Sequence, residues 1–133
     1  MLTRREFAAC ALCAVTGFLA TGAEAQNAPA GLKRTIITRT DGPMEGYETV
    51  DVRVDLDAGT LVARHTHPGI ESSYVVEGQL ELSVDGVGTR TFNAGDGFQV
   101  PTHVPHGGKN GDKPTILAVT YVVEKGRPLA SPA

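Results

Sequence analysis

Three of the four histidines in this chain, His65, His67 and His106, occur with one carboxylate, Glu71, in a pattern suited to holding a metal ion. Imidazole nitrogens and a carboxylate oxygen are ordinary ligands for a borderline divalent cation. His65 and His67 lie at i and i+2. In an extended strand alternate side chains share a face, so the two rings can converge on one point. Closed structural zinc sites usually include cysteine thiolates, and this set has none. Four ligands of this type can close a tetrahedron. They can equally leave one or two octahedral positions open for water, substrate or dioxygen. The plain alternative is a chance cluster on a polar surface strand.

Spacing argues against chance. From Gly59, five residues lead to His65, one to His67, three to Glu71 and six to Gly78. From Gly95, five residues lead to Pro101, and after His106 three lead to Asn110. These stretches resemble the two signature motifs of the cupin superfamily, G-x5-H-x-H-x3,4-E-x6-G and G-x5-P-x-G-x2-H-x3-N. The first is complete. The second departs once, where His103 stands in the place of glycine. The resemblance implies that His65, His67, Glu71 and His106 bind one divalent metal ion. It also implies an all-β fold, a small antiparallel barrel or double-sheet jelly roll with the ion in its mouth, and an open rather than closed coordination sphere. A homodimer follows from the same resemblance, with Thr35–Thr38 and Ile116–Val123 as candidate contact strands.

The elements that must position these residues read as strands on their own account. Val50, Val52, Val54 and Leu56 alternate with Asp51, Arg53 and Asp55, and Leu80, Leu82 and Val84 with Glu81, Ser83 and Asp85. Asp85-Gly86 between such runs predicts a hairpin. Ile116–Val123 is almost wholly apolar or β-branched, which predicts a strand buried on both faces. No helical period follows residue 30. Frequent Gly, Pro and Asp between short strands fit a sandwich or barrel.

Residues 1–25 read as a cleaved export signal. Arg4 and Arg5 precede the apolar run Phe7–Leu19, and Ala23-Glu24-Ala25 is an A-x-A cleavage site. Thr3-Arg4-Arg5-Glu6-Phe7 resembles the start of a twin-arginine signal, although Ala8 and Ala9 depart from its Leu-Lys ending. The expected location is the periplasm or outside the cell, with no membrane association after cleavage. Cys10 and Cys13 fall in the signal, so residues 26–133 contain no cysteine. That segment reads as one domain with its core at about residues 33–125, and residues 127–133 read as an irregular tail. The formal net charge of −3 gives no reason to expect nucleic acid.

Intrinsic affinity favours copper and zinc. Twin-arginine substrates, by that resemblance, fold before export, which favours loading of Mn or Fe in the cytoplasm, with Ni, Zn or Cu as other occupants. The leading functional reading is an enzyme that oxidises a small organic substrate bound at the metal, similar to the quercetin dioxygenase-like cupins. Glu71 would be a ligand and could also serve as base. Other readings are a non-redox isomerase or lyase of a sugar or hydroxy acid, a non-catalytic binding protein, and a barrel whose metal only stabilises it. His103 reads as a stand-in for glycine at positive φ. Ser73 should share the inward face of Glu71, leaving room near the metal. Arg64 should point outward. Tyr74 and Tyr121 read either as pocket-lining residues or, more usually for strand tyrosines, as packing residues with surface hydroxyls, and Phe92 and Phe98 as core. Gly107-Gly108 reads as a tight turn or a backbone open to substrate.

Overall fold

Alternating apolar residues leave strands one dry face, and two such faces must meet. In the computed structural model, which describes residues 29–133, ten strands do so. They are β1 (Leu32–Asp41), β2 (Tyr47–Leu56), β3 (Leu61–Thr66), β4 (Gly69–Glu77), β5 (Gln79–Val84), β6 (Gly88–Asn93), β7 (Gly97–Val100), β8 (His106–Asn110), β9 (Thr115–Glu124) and β10 (Ser131–Pro132). The described residues contain no helix. The export-signal reading of residues 1–25, with Cys10 and Cys13, lies outside them.

The strands form two antiparallel five-stranded sheets. One runs β1-β2-β9-β4-β7, the other β10-β3-β8-β5-β6. The predicted all-β double-sheet architecture is therefore the observed one. Its core lies between the sheets. Val50, Val52, Val54 and Leu56 of β2 meet Leu80, Leu82 and Val84 of β5, with Leu117, Val119, Tyr121 and Val123 of β9 beside them. Both alternating runs bury the residues the period of two selects. Asp85-Gly86-Val87 turns β5 into β6 as predicted.

Two expectations need correction. β9 is not buried on both faces: Ile116, Thr120 and Val122 are only half-buried and Ala118 is exposed. β9 is the middle strand of its sheet, and nothing among the described residues covers that sheet's outer side. The tail is not irregular throughout. Ser131 and Pro132 pair with Thr66 and His65, and Leu129 packs against the core. The buried core itself runs from Leu32 to Val123.

The residues outside the ligand set explain themselves locally. Gly78 has φ +83°, and a Cβ there would lie 2.4 Å from the Pro114 carbonyl oxygen, so only glycine lets the β4–β5 turn pass β9. His103 has φ +60° and is exposed, as the glycine-substitute reading predicts. Asn110 shares its amide N–H groups among the carbonyls of Leu56, Asp57 and Lys113 and accepts from Thr115 Oγ1 at 2.6 Å. It ties the end of β8 to the β2–β3 turn and to β9. Gly107 and Gly108 are strand residues of β8, not a turn. A Cβ at Gly107 would come within 2.9 Å of the Val62 carbonyl oxygen of β3.

Candidate metal centre

His65 lies near the end of β3, directly across from His106 at the start of β8. His67 follows one residue after β3, and Glu71 enters from β4 in the opposite sheet. The structure thus brings together all four residues singled out in the sequence. Their donor atoms lie within 4.8 Å of one another, and His67, Glu71 and His106 are buried. Donors about a cation at roughly 2.0–2.2 Å stand no more than about 4.4 Å apart, so a closure of a few tenths of an ångström completes the site.

Each imidazole is oriented by its far nitrogen. Nδ1 of His65 bonds the Ala63 carbonyl at 2.8 Å, Nδ1 of His67 the Leu129 carbonyl at 2.5 Å, and Nδ1 of His106 the Val104 carbonyl at 2.9 Å. A carbonyl only accepts, so each Nδ1 donates and each Nε2 is left for the centre. This is how metal-binding histidines are commonly held. Nε2 of His67 and of His106 then face the same oxygen, Glu71 Oε2, at 2.9 and 3.2 Å. In neutral rings these would be lone pairs opposing a carboxylate. A proton or a cation must lie between them. His67 Nε2 is buried, and its approach to Oε2 lacks hydrogen-bond geometry, so it has no partner among the described residues. That orphaned atom, and the directed nitrogens around it, fit a divalent ion.

Electrostatics follow the same geometry. Burial would raise the Glu71 carboxyl, but the bonds with His106 and Ser73 and the close approach of His67 outweigh it and hold the group well below the usual carboxylate range. Burial lowers His65 to about 4. Burial acts on His106 too, but Glu71 and the Val104 carbonyl more than offset it, and its value rises. Ser73 donates to Glu71 Oε1 at 2.6 Å. The serine faces inward as expected, and it adds an anchor that its small size alone did not suggest.

A partly open cavity of about 40 Å³ adjoins the centre, and His65, Glu71 and His106 form part of its wall. Tyr121 corrects the sequence reading. It is buried, its ring lies 4.7 Å from that of His67, and its hydroxyl is not at the surface. Burial, with Glu71 nearby, pushes its hydroxyl pKa far up and keeps it protonated. Tyr74 points outward as a packing residue would, and Arg64 is exposed and paired with Asp85 at 2.6 Å. Phe92 is core, whereas Phe98 is half-buried and lines the cavity. Sequence reasoning missed the Leu129 carbonyl and Arg34, another residue of the cavity wall.

The family profile described as Cupin domain matches residues 52–123, which include all four ligand positions. The chain belongs to the cupin family. Among solved structures it is similar to an RmlC-like cupin from Shewanella frigidimarina NCIMB 400, at 32% identity and a TM-score of 0.61, covering 75% of this chain and 83% of that one. It is also similar to KdgF from Halomonas sp., at 25% identity and TM-score 0.62, covering 75% and 87%. The DMSP lyase DddQ from Ruegeria pomeroyi DSS-3 shares the fold at 22% identity and TM-score 0.60, over 64% of this chain. This cupin spans 43% of that lyase's length. No curated protein matches the sequence.

Proposed function

We propose that this cupin is an exported metal-dependent enzyme that oxidises a small organic substrate with dioxygen. His65, His67, Glu71 and His106 would hold one ion, Mn or Fe in the cell. The observation that carries the reading is the position of the donors. Three of the four form the wall of a cavity, so one side of the ion would face space rather than protein. A bound divalent cation supplies Lewis-acid polarisation of a substrate oxygen and, if redox-active, a route to dioxygen.

The protein's own groups have definite tasks. The backbone carbonyls of Ala63, Val104 and Leu129 fix the rings. Ser73 holds one oxygen of Glu71 and leaves the other for the centre. Glu71 is ionised at neutral pH and available as a ligand; so weak a base would take a proton only from a substrate group that the ion has acidified. Apolar walls, with Leu82, Phe98 and Val119 among them, exclude water. Fold alone does not choose the reaction. A buried base beside a protonated tyrosine also supports a second reading, non-redox isomerisation or lysis of a sugar or hydroxy acid.

The test is oxygen uptake by protein loaded separately with Mn and Fe, against a panel of enols, hydroxy acids and sugars. Uptake coupled to substrate loss is expected. Glu71→Gln should keep the fold and part of the metal and lose at least about a hundredfold in turnover. Conversion without oxygen uptake selects the second reading. If chelation collapses thermal stability and Glu71→Gln unfolds likewise, the ion is structural and the enzyme reading fails.

A further inference from the structure

Arg34 faces inward from β1. It sits two residues after buried Leu32, pairs with Val54, and lies on the wall of the same cavity as His65, Glu71 and His106. Its Nε is buried and has no hydrogen-bond partner among the described residues. No ion pair is formed by Arg34 among those residues either, although Arg39, Arg53, Arg64 and Arg127 are all paired with carboxylates. The neighbour that does approach it is the Tyr121 hydroxyl.

Arg34 is half-buried, and its Nε, shut off from water, is left without the partner such a group needs. Glu71 is the one carboxylate on the cavity wall among the described residues, and His67, His106 and Ser73 already use it. With a divalent ion bound, that ion, one carboxylate and one guanidinium leave two positive charges uncompensated. The surrounding wall is built mainly of leucine, valine and phenylalanine. Such a cavity favours an anion. A guanidinium offers parallel N–H donors that match a carboxylate.

We propose that Arg34 is the specificity-determining residue of this site, and that the substrate is a small carboxylate. The carboxylate lies against Arg34 and Tyr121, and an adjacent hydroxyl or carbonyl oxygen faces the metal ligands. This inference rests on the proposed open metal site and narrows its substrate class. A cavity of about 40 Å³ holds about three water-sized groups, which limits the enclosed part of the ligand to a few atoms.

The test uses protein loaded with Co(II), whose visible spectrum reports ligand exchange without requiring turnover. Lactate and pyruvate are titrated against the neutral analogue lactamide, with azide and imidazole as general metal ligands. Lactate should shift the spectrum at a concentration at least about tenfold below lactamide. Arg34→Gln should weaken lactate about tenfold or more and leave lactamide, imidazole and metal content unchanged. Arg34→Lys should restore part of the preference, because charge returns without the fork. Equal binding of lactate and lactamide by the wild type overturns the inference and needs no variant to fold. So does a lactate affinity in Arg34→Gln equal to that of the wild type. A spectrum moved by azide or imidazole but not selectively by lactate defeats the Arg34 inference alone. A spectrum that no ligand moves defeats the open-site reading, and the inference with it.

Discussion

Ser73 determines which oxygen of Glu71 is left for a metal. Its hydroxyl donates to Oε1, and Oε2 faces His67 and His106. Ser73→Ala frees the carboxylate to rotate, so metal affinity should fall roughly tenfold, within the range for partners that orient a ligand. Competition against a chromophoric chelator measures it; an unchanged affinity would make the serine only a space-filler. The metal-free protein should also be acid-sensitive. His65 is lowered to about 4, so the unfolded chain takes up a proton there before the folded one does. Stability from this group is complete above about pH 6.5 and is lost as pH falls toward 4. Glu71, lowered as well, adds a loss at still lower pH, while His106, raised, opposes the change between neutrality and acid. Urea unfolding of metal-free protein from pH 7 to 4 should show a net decline that metal loading delays; stability that is flat or rises toward pH 4 would contradict the His65 assignment. The cluster of His65, His67, Glu71 and His106 was legible in the sequence because residue type and spacing mark these four positions. Arg34 and Tyr121 were not, since an arginine or tyrosine in a strand has no pattern that announces an inward polar tip. The Leu129 carbonyl had no residue-type signal at all, because every residue carries one.

Among the elements, the tail is the least predictable and closely tied to the site. It meets β3 through Ser131, Pro132 and the Ala133 N–H, which donates to the Arg64 carbonyl, too short a strand to leave a period in the sequence. Yet Leu129 packs against the core and its carbonyl holds His67 from 62 positions away. Removal of residues 128–133 should therefore lower metal affinity by about 10- to 100-fold, as loss of a ring-orienting bond does elsewhere. Circular dichroism should remain that of a β protein, because the remaining core residues come from strands that the truncation leaves intact. Metal binding of the shortened chain at wild-type strength would show that Tyr121 packing alone suffices to orient the ring. β2 and β5 were legible for the opposite reason: each alternates over several residues and buries one face fully. β9 misled because composition records how apolar a strand is, not whether a second layer covers it.

At the scale of the whole molecule, the uncovered side of β9 becomes an argument about assembly. On the outer face of the larger sheet, Ile70 and Tyr74 of β4 pair with Val122 and Ala118 of β9. Ile70 is 47% exposed, Tyr74 51% and Val76 45%, while Ile116 and Val122 are half-buried. Apolar side chains exposed on a sheet face, here with the Ser72–Thr120 pair between them, are a usual place for a second chain to pack. The long edge strand β1 also exposes Ile36 and Ile37, but its register shifts between Ile36 and Thr38. A bulge there disfavours continuous pairing with another edge. Face-to-face packing of two larger sheets is thus the expected homodimer, and the metal centres, enclosed between the sheets of each subunit, should be independent of it. Light scattering at micromolar concentration should give twice the subunit mass. Ile70→Lys combined with Tyr74→Lys places two charges on that face and should yield a monomer with unchanged metal content. Wild-type protein that stays monomeric, or a double variant that still dimerises, would move the contact elsewhere or remove it.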